Sequence, residues 1–63
     1  MSNLDEVICR AEDVLGTHER AIDWVETNSK TLGGKPNTVC DTLDGFGKVM
    51  RHLHTIEMEH DTD

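Results

Sequence analysis

The stretch TNSKTLGGKP, residues 27–36, divides this sequence into two helical halves. The residues before it follow a helical pattern that stops as the stretch begins. Within it, Gly33 and Gly34 can adopt backbone angles that are closed to other residues. Pro36 is well placed to open a new helix, because the N–H that it lacks would be unpaired at that position. The stretch therefore predicts a tight turn between helices.

Two amphipathic helices are predicted before this turn. Apolar residues from Leu4 to Leu15 fall within about 120° of arc at ~100° per residue, which is a single buried stripe. Gly16 is a natural end for this first helix. Thr17 can cap a second helix, whose apolar face includes Trp24 and which is predicted to end at Asn28.

A short third helix over residues 37–40 and a longer fourth helix are predicted after the turn. The apolar stripe of the fourth helix runs from Leu43 to Ile56. Gly45 and Gly47 interrupt this helix, and each costs ~1 kcal/mol relative to alanine if it is exposed. Both glycines are therefore predicted to lie where another backbone approaches closely.

No strand pattern and no repeat occurs in the 63 residues, so the sequence predicts an all-α fold, a compact bundle of three to four short helices. One domain is expected over residues 1–63, with the last ~5 residues disordered because no apolar anchor follows Met58. Trp24 and Phe46 are predicted to anchor the core, and Cys40 to be a small core residue. A domain of this size supplies only ~3–5 kcal/mol from its core, so self-association or burial against a partner is expected.

Composition narrows the classes of partner. Thirteen acidic and six basic residues give a formal charge of −7, which disfavours direct binding to DNA or RNA and suits a basic protein partner. No run approaches the ~20 apolar residues of a membrane span, and residues 1–6 lack the features of a signal peptide. The sequence therefore predicts a cytoplasmic protein in which Cys9 and Cys40 stay reduced.

Catalytic and metal sites are not predicted. His52 and His54 project ~200° apart on a helix and cannot share an ion. Gly33-Gly34-Lys35 lacks the spacing of a phosphate-binding loop, and so short a helical chain has little room for a water-excluding pocket. We predict no enzymatic activity, no cofactor and no metal ion.

Two surface features remain. Cys9 projects ~140° from Leu4 on the helical wheel, and we interpret its face as one covered by a second copy of the chain, with a tolerated surface cysteine as the alternative. Mixed methionine, histidine and acidic residues end the last helix, where an ordinary solvated helix end explains the pattern equally well. The predicted partner-binding edge contains Arg51, His54, Glu57, Met58, Glu59 and His60.

The residues placed above resemble the toxin-binding domain at the C-terminus of Xre/MbcA/ParS-type antitoxins, over roughly residues 11 to 57. The order of alanine, tryptophan, asparagine and the LGG-x-P motif is fairly specific in combination. The resemblance rests on Ala11, Val14-Leu15-Gly16, Ala21, Trp24-Val25, Asn28, Leu32-Gly33-Gly34-Lys35-Pro36, Asp41-Thr42, Gly45, Leu53 and Ile56-Glu57.

This resemblance implies a helical, commonly dimeric domain that neutralises RES-type toxins, enzymes that consume NAD, with its C-terminal end reaching toward the toxin's active site. It further implies that an acidic helix end would occupy arginines that otherwise grip phosphate. Three departures accompany it. No helix-turn-helix domain is expected before Leu4, the segment from the glycines to Asp41 is one residue short, and residues 58–60 replace the usual small residues.

Two other functions fit the same sequence. A small acidic inhibitor from a phage or mobile element could cover the nucleic-acid channel of a host defence complex, with carboxylates in place of phosphates. An assembly module with no inhibitory role is the third hypothesis. The three differ in whether a toxin, a nucleic-acid-binding protein or only a second copy is bound.

Overall fold

The computed structural model describes residues 2–60, with side chains through Glu59. Four helices are present among them, which confirms the all-α prediction: α1 Asn3–Leu15, α2 His18–Glu26, α3 Pro36–Val39 and α4 Leu43–His60. Residues 59 and 60 continue α4, while residues 61–63, where disorder is predicted, lie outside the described residues. No helix of the described part combines the length and the apolar character that a membrane crossing demands.

The predicted end of α1 at Gly16 and the predicted start of α2 at Thr17 are confirmed, and a cap also defines the start of α1. The Ser2 hydroxyl accepts a hydrogen bond from the backbone N–H of Asp5 at 3.2 Å, and the Thr17 hydroxyl does the same for Arg20 at 3.2 Å. Such caps satisfy N–H groups that have no partner within the helix. Gly16 ends α1 in the left-handed conformation, with φ of 97°, which a residue with a Cβ rarely adopts.

The turn between the halves is closed by a backbone bridge. The N–H of Ser29 donates to the carbonyl of Gly34 at 2.9 Å, and the carbonyl of Ser29 accepts from Gly33 at 2.9 Å and from Gly34 at 3.2 Å. Gly33 has φ of 79°. α2 ends at Glu26, two residues before the predicted Asn28, because this bridge needs extended backbone on the approach to Ser29.

The core is built from small and medium side chains, so the prediction that Trp24 and Phe46 anchor it is wrong in detail. Both aromatics are half-buried and pack against the outside of the core. Close approach of the helices through alanine and valine leaves no central space for a large ring. The fully or almost fully buried core residues are Val7, Ala11, Ala21, Val25, Cys40, Val49 and Leu53.

The two glycines of α4 have opposite environments. A Cβ on Gly45 would lie 1.7 Å from the carbonyl oxygen of Val39, which confirms the predicted close approach. A Cβ on Gly47 would meet no atom within 4 Å, so no part of the described chain approaches Gly47 in the same way. Two residues along a helix project about 200° apart, so both glycines cannot face α3. Leu43, predicted on the apolar stripe, is also 86% exposed because α4 begins there, beyond the core.

Candidate partner-binding site

The C-terminal half of α4 leaves the core and carries most of the predicted partner-binding edge. Leu53 is its last fully buried residue. Beyond it, His54 is exposed and Met58 is 56% exposed, and Arg51, two residues before Leu53, is exposed as well. Arg51, His54 and Met58 fall within about 60° of arc at ~100° per residue, so they share one outward face.

Glu57 lies apart from that face, in an ion pair within the domain. Its Oε1 accepts a hydrogen bond from Nη2 of Arg10 at 3.1 Å, and the two side chains are 36% and 35% exposed. The pair joins α1 to the end of α4 across 47 residues of sequence. An ion pair with this exposure contributes about 0–1 kcal/mol to stability.

A groove of about 420 Å³ connects the glycine turn with the predicted edge. The turn provides one wall, and a single face of α4 provides the other. The lining residues are Thr31, Leu32, Lys48, Arg51, His52, Thr55 and Glu59. Arg51 and Glu59 belong to the predicted edge and Leu32 to the turn, so the structure brings two separately predicted features together.

Lys48, His52 and Thr55 line the groove but are not part of the edge predicted from the sequence. Their spacing along α4 matches one helix face, which is the signal that could have found them. The opposite wall could not be anticipated, because only tertiary structure shows that the turn folds back over this face. Lys48 and Arg51 are two of only six basic residues in the chain, and the groove therefore concentrates positive charge on an acidic protein.

One groove residue, His52, stacks on the aromatic ring of Trp24. The rings of Trp24 and His52 stack with centroids 6.0 Å apart and an interplanar angle of 20°. This contact joins α2 to α4 and orients the His52 ring that lines the groove. Trp24 therefore acts in a contact between α2 and α4, beside the groove. Of the other motif residues, Pro36 is buried at the start of α3, and Asn28 is exposed in the turn.

The two cysteines differ as predicted: Cys9 is exposed and Cys40 is buried. Burial, with the nearby Asp41 carboxylate, raises the pKa of the Cys40 thiol above its ordinary value of 9.0. Cys9 shares its face of α1 with Asp5, Glu6 and Asp13, which are all exposed and lie three or four residues from it. This is an acidic face.

Among the side chains of residues 2–59, no group of three or more histidine, cysteine, aspartate or glutamate residues is placed to hold a metal ion. The imidazole of His18 contacts the carboxylate of Glu12, an exposed pair at the junction of α1 and α2.

What the described site offers is a mixed-charge groove and an exposed helix end. Such a surface is suited to contact with another macromolecule.

Comparison with known proteins supports a binding role. Residues 10–57 match the family model of the antitoxin Xre/MbcA/ParS C-terminal toxin-binding domain, which is more than half of the chain. No curated protein and no solved structure is significantly similar to the chain. The match begins at Arg10 and ends at Glu57, so the ion pair joins its two ends, and Met58 and Glu59 lie beyond it.

Proposed function

The chain belongs to the family of Xre/MbcA/ParS antitoxin C-terminal toxin-binding domains, and from this premise we propose that it neutralises a RES-type, NAD-consuming toxin. Binding to a toxin protein is the function of the family. The RES-type target, the cytoplasmic setting, the homodimeric state and inhibition without catalysis are the finer parts of this proposal. Inhibition proceeds by occlusion, since the chain needs only to cover the toxin's substrate pocket.

The observation that supports the proposal is that the groove and the projecting end of α4 adjoin and share Arg51 and Glu59. Arg51, His54 and Met58 lie on the outward face of the helix, and Glu59 lies at the groove. We propose that this edge, together with Glu57 and His60, contacts the toxin. Carboxylates at the helix end suit arginines that would otherwise hold the phosphates of NAD, because arginine binds both groups through paired hydrogen bonds.

We propose that the ion pair between Arg10 and Glu57 orients the end of α4 toward the toxin. Arg10 holds Glu57 at the last position of the family match. Met58 and Glu59 follow at once, where the chain departs from the family pattern. We propose that the shared domain supplies a fixed base, and that the residues after Glu57 decide which toxin is recognised.

The test is co-expression of the chain with RES-domain toxins, with growth and cellular NAD as readouts. The full chain is expected to restore both, whereas a chain truncated after Ile56 is expected to fold and fail to protect. Truncation after Glu57, which keeps the ion pair, is expected to fail as well. Glu59→Gln should weaken protection, and Glu19→Gln, an exposed glutamate on α2, is its matched control.

Two outcomes would contradict the proposal. One is that none of the RES-domain toxins tested is inhibited by the full chain. The other is that both truncated chains protect as well as the full chain, which would place the contact elsewhere. Circular dichroism of the purified truncated chains separates loss of binding from loss of fold.

The acidic face of α1 supports a second candidate function. Asp5, Glu6 and Asp13 are exposed around Cys9, and a surface of this kind suits a basic nucleic-acid channel. We propose inhibition of a host nucleic-acid-binding protein as the alternative. It predicts binding that weakens steeply with salt and depends on many carboxylates, whereas the toxin proposal predicts dependence on residues 51–60.

Cys9 remains the predicted face of the homodimer, but its surroundings do not favour a second copy. Two copies apposed across this face would bring the carboxylates of Asp5, Glu6 and Asp13 toward their equivalents. Like charges across an interface oppose association. The proposed homodimer is therefore better served by a surface that carries both signs of charge.

A further inference from the structure

The N-terminal half of α4 presents an exposed strip that shares Lys48 and Arg51 with the groove described above and is otherwise not used by the toxin-binding proposal. The strip consists of Leu43, Asp44, Gly47, Lys48 and Arg51, which together line a shallow cleft of about 300 Å³. Leu43 is 86% exposed. A single exposed leucine needs no explanation. This leucine, however, lies beside Gly47, which no other residue of the described chain covers, and beside the charged residues Asp44, Lys48 and Arg51.

The charges of Asp44 and Arg51 are complementary to the same strip turned end for end, whereas Lys48, one residue from the centre, lies near its own equivalent. Asp44 lies three residues before Gly47, and Arg51 lies four residues after it, which is about 4.5 and 6 Å along the helix axis. When two copies of α4 cross antiparallel at Gly47, Asp44 of each copy therefore lies opposite Arg51 of the other. A twofold axis forms both pairs at once, as a self-complementary surface requires.

Gly47 is the residue that makes this crossing close. A glycine inside a helix lowers helix stability relative to alanine, and Gly45 is explained by the α3 backbone above it. Nothing within the described domain explains Gly47, because a Cβ there would meet no atom within 4 Å. A second helix backbone lying over Gly47, as α3 lies over Gly45, would explain why position 47 is a glycine.

We infer that this strip is the self-association surface of the protein and that its occupant is the strip of a second copy, antiparallel. The inference rests on the proposed homodimer and not on the identity of the toxin. Each copy carries a net charge of −7, which opposes association at long range. The local Asp44–Arg51 pairs supply attraction where the two chains meet.

Sedimentation equilibrium of the full chain tests the surface by charge reversal. Asp44→Lys and Arg51→Glu each break both symmetric pairs, and each is expected to weaken dimerisation at least tenfold. The double variant restores opposite charges and should recover most of the loss. An equimolar mixture of the two single variants should form a mixed dimer, since every introduced charge then faces its opposite. Asp23→Lys and Arg20→Glu on α2 are the matched controls.

Gly47→Leu separates folding from association. The leucine is expected to increase the thermal stability of the monomer, because glycine is the poorer helix former, while it abolishes the dimer by holding the helices apart. Circular dichroism and sedimentation of the same sample give the two readouts. A simple fold defect would instead lower both.

Three results would overturn the inference. A wild-type chain that remains monomeric up to about 0.1 mM, where even weak association is detectable, removes the homodimer itself. A dimer unaffected by the charge reversals and by Gly47→Leu keeps the homodimer but removes this surface. Rapid disulfide formation between the Cys9 residues of two copies, with the α4 variants still dimeric, assigns the interface to α1. None of these results bears on inhibition of a toxin.

Discussion

The two faces of α4 follow different rules. The inner face, with Gly45, Val49 and Leu53, is fully covered by the other helices. The outer face, with Gly47 and Arg51, is exposed along its length. Residue types recur on both faces, so composition alone does not separate them. The difference teaches that the fold fixes the inner residues by contact, whereas the outer residues depend on molecules outside the domain.

Replacing each glycine by alanine is the sharpest test of this contrast. Gly45→Ala puts a Cβ 1.7 Å from the Val39 carbonyl oxygen, and overpacking against backbone is expected to cost about 3 kcal/mol, the upper end of the usual range. Gly47→Ala meets nothing and should stabilise the helix by about 1 kcal/mol. Chemical denaturation followed by circular dichroism measures both. Similar effects at the two positions would contradict the orientation of α4.

The two leucines of α4 give a second matched pair with a smaller contrast. Leu53 is 0% exposed and Leu43 is 86% exposed. Leu53→Ala should lower the free energy of unfolding by about 2–5 kcal/mol, which is a large part of the stability of so small a domain. Leu43→Ala should change it by less than about 0.5 kcal/mol. The measurement is thermal unfolding at a protein concentration where the chain is monomeric, and equal losses at both positions would refute the burial pattern.

The local features of this fold were predictable from the sequence, because they depend on neighbouring residues. Ser2, Thr17 and Gly16 begin or end their helices through bonds within a few positions. The pair Gly33-Gly34 likewise closes its turn on Ser29. Cap chemistry and glycine conformations are written in short stretches of sequence.

Features that depend on how helices meet were not predictable in the same way. The periodicity of α4 predicts its apolar stripe but not where the core begins, so the predicted stripe includes Leu43, which is exposed. Trp24 is predicted to anchor the core, whereas in the structure it is partly buried and packs against the outside of the core. The groove needs the turn to lie over Lys48, and no local pattern encodes that distance.

Substitutions in the ion pair between Arg10 and Glu57 test whether a contact of α4 inside the domain affects its binding to a partner. The pair is more than one third exposed on both sides, so Glu57→Gln should cost less than about 1 kcal/mol of stability. If the pair directs the last turns of α4 toward a partner, the same variant should reduce toxin inhibition out of proportion to that small loss. Arg10→Gln should act alike, and the double variant should cost no more than either single variant. Strictly additive losses of inhibition would show that the two side chains act separately.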